Sequence, residues 1–268
     1  MTILIGIPTY DNKVESGLAV SLLSEMRYPG CPPYTVAFKQ SSLLAYAHNE
    51  LLCIARNNQP EITHLLLVHA DILPDPGFLA QMFKDMAEAQ ADVLGVVIPI
   101  KDSKGLTSTA LLPHLGDADK QGRREYRRRR LTITECARLP DIFDVRDLQH
   151  VFGEASEDGV LLVNTGMLLI NLAAPFVSQV HFEINDDIFT GEDGLAYADV
   201  EPEDWYFSRQ AAAHGARLCV TRRVSLRHVG RANFPNQVAW GEWAHDQAWK
   251  APEPKRNGQH EPETTLQV

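Results

Sequence analysis

Three short stretches of this 268-residue chain hold the residues best suited to chemistry. Thr63 to Leu79, THLLLVHADILPDPGFL, sets His69 and Asp71 directly after the apolar Leu65 to Val68. Glu203 and Asp204 follow Pro202, and His228-Val229-Gly230 ends another apolar segment. An aspartate at one strand end and a histidine at another are hard and intermediate ligands that suit Mn²⁺ or Mg²⁺ together with diphosphate oxygens. Such an ion offsets the charge that develops when a diphosphate departs. A hydroxyl nucleophile also needs a base, which a rigidly held Asp or Glu can supply. The competing reading makes Asp71 a turn or helix-capping residue.

These residues need elements to position them. Leu65 to Val68 reads as a buried strand that Pro74 and Pro76 prevent from continuing, and ligands of open α/β sheets sit beyond the carboxyl ends of such strands. Ile3 to Ile7 is a second strand, ending in Pro8-Thr9-Tyr10-Asp11. Thr9 and Asp11 could bond a base or ribose, or simply hold a turn. Gly17 to Met26 reads as a helix and Tyr34 to Phe38 as a strand. Ser41 to Arg56 is a helix with Ser41 or Ser42 as its cap, and it carries His48 and Asn49. Pro76 opens a helix from Gly77 to Gln90, with Phe78, Met82 and Met86 as a core stripe. Ala91 to Ile98 is apolar enough for a strand covered on both faces. This alternation predicts a doubly wound α/β domain.

From Lys101 to Asp158 the periodicity weakens, and an insertion or loop is expected. Arg123 to Arg130 places six arginines in eight positions, a run expected to form a solvated or mobile loop rather than pack, or else to meet a phosphate on a donor or acceptor or to contact nucleic acid. Val160 to Val163 and Met167 to Ile170 are strand pieces joined by Asn164-Thr165-Gly166, where Gly166 would let backbone approach a ligand closely. The acidic stretch from Asn185 to Asp204 should mostly face water. Pro202 fits the first turn of a helix from Glu203 to His214, with Gly215 as its stop. Arg217 to Thr221 and Val224 to Leu226 read as strands. Phe234, Trp240 and Trp243 would pack across the domain or over a sugar, and Ala251 to Val268 reads as a frayed tail.

The net charge of −10 argues against general nucleic-acid binding, because phosphate backbones would meet the wrong sign. Cys31, Cys53, Cys136 and Cys219 are scattered, without metal-ligand spacing, and fit a reducing compartment. No leader and no bilayer-length apolar run is visible, so a soluble cytoplasmic protein is expected.

Over Thr2 to Gly230 the motifs, in their order, resemble those of GT-A fold glycosyltransferases of the family-2-like group. Pro8-Thr9 resembles the pair that ends the first strand, His48-Asn49 stands where that family has Arg-Asn, and His69-Ala70-Asp71 matches Asp-x-Asp with His in the first place. Asn164-Thr165-Gly166 is similar to the Gly-rich acceptor-side segment. Glu203-Asp204 with Trp205-Tyr206-Phe207 resembles the start of the acceptor-site helix, and His228-Val229-Gly230 resembles the His-x-Gly metal motif. The resemblance implies a three-layer α/β/α domain with a mostly parallel central sheet and a smaller acceptor-side sheet. It would occupy residues 1–250: a nucleotide-sugar half over 1–100, a variable segment over 101–158 and an acceptor half over 159–250, ahead of a flexible tail at 251–268. It implies donor contacts from Pro8, Thr9, Asp11, His48, Asn49, His69, Asp71, Lys101 and Gly166. Mn²⁺ or Mg²⁺ would be held by Asp71 and His228 with His69. Asp204 would be the base and Glu203 would orient a glycan or other hydroxyl acceptor. Two other readings use the same residues: a catalytically inert binder of nucleotide or carbohydrate, and a metal-dependent hydrolase of nucleotide sugars.

Overall fold

A computed structural model of the chain describes residues 2–113, 128–153, 158–191, 193–230, 233–238 and 240–241. The first half runs β1 (Thr2–Thr9), α1 (Ser16–Glu25), β2 (Tyr34–Gln40), α2 (Leu44–Asn57), β3 (Ile62–Val68), β4 (Ile72–Pro74), α3 (Phe78–Ala89) and β5 (Val93–Val96). It continues with β6 (Leu106–Leu112), β7 (Arg129–Thr132), α4 (Ile133–Cys136), β8 (Ile142–Phe143), α5 (Val145–Phe152), β9 (Val160–Leu162) and β10 (Met167–Asn171). After a short 3-10 turn at Pro175–Gln179 come β11 (Asn185–Thr190), β12 (Ala196–Glu201), α6 (Glu203–Ala213), β13 (Leu218–Thr221), β14 (Leu226–Val229) and β15 (Asn233–Pro235).

The main sheet has the order β2-β1-β3-β10-β5-β13-β8. Its β2-β1, β1-β3 and β5-β13 pairs are parallel, whereas β10 is antiparallel to both β3 and β5, and β8 is antiparallel to β13. The central sheet is therefore mixed, not mostly parallel as expected. The apolar run of β10 gives no direction by itself, because strand direction is set by non-local pairing. Side-chain alternation sorts the two faces. Leu65, Leu67, Leu168 and Ile170 join the core beneath α2 and α6, whereas Leu66, Val68, Met167 and Leu169 join the core beneath α1 and α3. The result is a three-layer α/β/α domain, broadly Rossmann-like.

The start of α3 is fixed from the opposite helix. The buried Glu25 carboxylate at the end of α1 accepts from the backbone N–H of Gly77 and, at 3.0 Å, from that of Leu79. Those are N–H groups with no partner inside the helix. Gly77 has φ +94°, a conformation that favours glycine. The α2 start has no side-chain cap from Ser41 or Ser42; its flanking residue is Leu43.

Residues 101–158 hold more regular structure than the weak periodicity indicated. Strand β6 pairs with β7 and β9 in a second sheet, and Thr132-Glu135 and Asp144-Asp147 form reciprocal capping boxes at α4 and α5. Of the arginine run, Arg128 to Arg130 are partly buried in or beside β7, whereas Arg123 to Arg127 lie outside the described residues. The expectation of a wholly solvated run does not hold for the described arginines, because aromatic rings and carboxylates receive them. Trp243 and the 251–268 segment are also outside the described residues. Among the described residues, no helix is long and apolar enough to cross a membrane.

Candidate active site

Strand β3 ends at Val68, and the backbone N–H of His69 donates to the Gly166 carbonyl at 3.0 Å, carrying the β3-β10 pairing one step further. The chain then turns into β4, against which β14 runs antiparallel with His228 opposite Ile72. This puts the His228 Nε2 3.6 Å from the Asp71 Oδ1. His228 lies within β14 (Leu226–Val229), so the strand continues past the expected Val224 to Leu226. Its Nδ1 is 2.8 Å from the Pro99 carbonyl, which can only accept, so Nδ1 carries the proton. Its Nε2 faces the Asp71 carboxylate, an arrangement that favours a cation between them or a proton on Nε2.

The other Asp71 oxygen is bound by Lys101. Burial alone would raise the Asp71 pKa, but hydrogen bonding and charge from His228 and Lys101 hold it well below the carboxylate range. Asp71 therefore stays ionised at any physiological pH.

His69 faces another way. Thr165 Oγ1 donates to Glu203 Oε1 at 3.5 Å, leaving its oxygen to accept from His69 Nε2 at 3.2 Å. The His69 pKa falls to about 4, chiefly through burial. His48 stacks behind it, fully buried, with Nδ1 3.9 Å from Glu203 Oε1 and, among the described residues, no hydrogen-bond partner for either ring nitrogen. Burial and the His69 charge hold His48 well below the usual imidazole value.

Glu203 and Asp204 occupy the first turn of α6, after Pro202, where acids favour the helix N-terminus. The Ser208 hydroxyl donates to the Asp204 backbone carbonyl at 2.7 Å and accepts from the Val163 N–H at 3.0 Å, fastening α6 to the end of β9. The Asp204 Oδ1 accepts from the Trp205 N–H at 2.8 Å. Burial raises both acidic groups, and the negative charge of Glu203 raises Asp204 further. Asp204 is thereby a better proton acceptor near neutral pH than an ordinary aspartate.

His69, Thr165, Glu203, Asp204, His228 and Arg130 line one cleft of about 170 Å³, whereas Asp71, Lys101 and His48 are not among its lining residues. Gly166 also lines the cleft, and a Cβ there would come within 2.7 Å of Ile98 Cδ1, at the end of a side chain that would have to shift. Pro8 and Thr9 lie at the end of β1, with the buried Thr9 hydroxyl unpartnered among the described residues. Asp11 is exposed and bound to Lys13. Asn49 is committed elsewhere: its amide donates to the Phe182 carbonyl at 2.7 Å and accepts from the Phe182 N–H at 2.8 Å. Arg130 and Thr165 are site residues that the sequence reading did not single out. Thr165 lay inside a quoted motif, and Arg130 was hidden in a charge run.

Among the described residues, no group of three or more His, Cys, Asp or Glu side chains is arranged to hold a metal ion. The chain matches no protein-family model and no curated protein. Among solved structures it is similar to A197 from STIV, with TM-score 0.48 and 13% identity over 86% of each chain. It is also similar to S. aureus TarS 1-349, with TM-score 0.42 and 16% identity over 83% of this chain and 58% of that one. The same TarS fragment in complex with UDP-GlcNAc gives TM-score 0.40 and 14% identity over 83% and 56% of the two chains. At these identities the likeness concerns the course of the chain and not its ligands.

Proposed function

We propose that this chain is a GT-A type glycosyltransferase that moves a sugar from a nucleotide diphosphate to a hydroxyl acceptor. The observation that carries this reading is that His228, whose imidazole faces Asp71, lines one cleft together with Glu203 and Asp204. Asp71, Lys101 and His228 form a charged cluster suited to a diphosphate. Glu203 and Asp204, with raised pKa values, line the cleft that His228 also lines. The motif resemblance over Thr2 to Gly230 supports the same assignment, and the four free cysteines fit a cytoplasmic setting.

In this reading Asp204 takes the acceptor proton as the new glycosidic bond forms, and Glu203, held by Thr165, orients the acceptor hydroxyl. Lys101 lies beside Asp71 and supplies positive charge to the leaving diphosphate. The residues also fit Mn²⁺ or Mg²⁺: a carboxylate and an imidazole lone pair face each other, and the imidazole's second nitrogen donates to a carbonyl, as metal-bound histidines do. Two protein ligands suffice where phosphate oxygens and water complete the shell. When bound, the ion would stabilise negative charge on the departing diphosphate.

A second reading, an inert nucleotide or carbohydrate binder, is favoured by His69, whose Nε2 is directed at Thr165 and not toward Asp71. Calorimetry with UDP, GDP and CDP, with Mn²⁺ or chelator, tests the donor side. One nucleotide should bind in a metal-dependent way, and Asp71→Asn should weaken it by about tenfold or more, a loss of roughly 1.4 kcal/mol. The matching sugar nucleotide then tests transfer. Asp204→Asn should lower turnover by about 10²–10⁴-fold with nucleotide affinity nearly intact. Saturable binding without product would favour the inert reading, and no nucleotide binding by the folded protein would end both.

A further inference from the structure

Three consecutive arginines begin at Arg128, and two of them have carboxylate partners. Arg128 pairs with Asp199, and Arg129 pairs with Glu135 at 2.5 Å. Arg130 is different. Its guanidinium lies 4.5 Å from the centroid of the Trp205 ring, it lines the cleft beside Asp204, and no carboxylate of the described residues reaches ion-pair distance. Trp205 is itself fixed: it is 6% exposed, and its Nε1 donates to the Ser108 carbonyl at 3.2 Å. Alternation along the strand explains the arrangement, since Arg128 and Arg130 share the face toward Trp205 while Arg129 points to Phe152 and Glu135.

We infer that Arg130, stacked on Trp205, is an anion-recognition residue on the acceptor side of the cleft, so that the acceptor carries a phosphate or carboxylate close to its reacting hydroxyl. The inference rests on the glycosyltransferase reading and names its acceptor class. Asp204 and Asp102 act on Arg130 electrostatically without reaching ion-pair distance, and a partly desolvated guanidinium held in this way is stabilised when an anion meets it directly. Its fork of donors suits carboxylate or phosphate oxygens. Arg130 stacks on Trp205, whereas Lys101 and His228, assigned to the donor diphosphate, cluster on Asp71. The positive charge of Arg130 lowers the basicity of Asp204. An acceptor anion bound at Arg130 offsets that charge, so Asp204 becomes the stronger base when the acceptor is in place.

The test is calorimetric titration of the full chain, saturated with UDP and Mn²⁺, with glucose 6-phosphate, glucuronate and glucose. One of the charged sugars should bind about tenfold more tightly than glucose. Arg130→Gln should reduce that preference to less than twofold while UDP affinity stays within about twofold of the native value. Phosphate and carboxylate acceptors are told apart by which charged sugar binds. Arg130→Lys keeps the charge and should retain part of the preference, and thermal melts of both variants confirm folding. Equal binding of charged and neutral sugars, or a preference that survives in Arg130→Gln, overturns the inference. So does a parallel loss of UDP affinity, which would assign Arg130 to the donor. If the native chain binds no UDP, GDP or CDP, the donor reading falls by itself. The same three titrations without nucleotide then decide whether Arg130 recognises an anion.

Discussion

The imidazole of His48 lies almost parallel to that of His69, with ring centroids 5.6 Å apart and planes 11° apart. The contact joins α2 to the end of β3 beneath the cleft. It is stable only while both rings are neutral, because stacked imidazolium ions in a buried site would repel each other.

Acid should therefore destabilise the fold. His69 titrates at about 4 in the folded chain against an ordinary 6.5, so the unfolded chain binds more protons between those values. Stability is complete above about pH 6.5 and falls as the pH drops toward 4, by at most about 3 kcal/mol for this residue at about 1.4 kcal/mol per pH unit. His48 acts in the same direction. His48→Phe removes two unpartnered ring nitrogens and should make the loss shallower, with stability at pH 7 unchanged or higher by about 1 kcal/mol. Urea denaturation at stepped pH measures both effects, and identical pH dependence in the two proteins would contradict the account.

Glu203→Gln should move the acidic limb of the rate profile. The charge of Glu203 raises Asp204 in the native protein, so its removal lowers the apparent pKa for turnover, by about one pH unit. A kcat profile against pH, with the nucleotide sugar identified by binding, reads this directly. An unmoved limb would mean that Asp204 is not the group being titrated.

Asn49 offers a test that separates structure from ligand contact. Its paired bonds to the Phe182 backbone tie α2 to the segment ahead of β11. Asn49→Ala should cost about 1–3 kcal/mol in denaturation experiments while nucleotide affinity stays within about twofold. Loss of affinity at unchanged stability would instead place Asn49 at the donor.

A buried carboxylate remote from the cleft provides the control. Asp85 on α3 accepts from the Thr221 hydroxyl at 2.6 Å and from Arg223 at 3.0 Å. Asp85→Ala leaves Arg223 with Glu88 and Asp141 and strips the buried hydroxyl of its acceptor. The expected destabilisation is roughly 3–5 kcal/mol, with nucleotide affinity of the folded fraction unchanged.

What could be read from sequence follows from how each residue is buried. Strands β1, β3 and β5 were legible because both faces are covered, which leaves continuous apolar runs, and α6 was legible from Pro202 and Gly215. The direction of β10 was not, because it depends on partners a hundred residues away. The arginines of β7 looked like a solvated charge run; Trp205, Asp199 and Glu135, which receive them, are distant or unmarked in the local sequence. Asp71, His228 and Asp204 stood out as polar groups at element ends. The Asn49 clamp on Phe182 spans 133 positions and has no local signature.

The placement of β10 between β3 and β5 has a consequence for synthesis on the ribosome. When residue 100 has emerged, β1, β2 and β3 can already pair, but the open edge of β3 is Leu65-Leu66-Leu67-Val68 and β5 has no neighbour to join. Both must wait for Met167–Asn171. An exposed apolar strand edge of this kind is a template for pairing with another nascent chain. Slowed translation between residues 100 and 167, or a truncation in that interval, should therefore favour aggregation over partial folding.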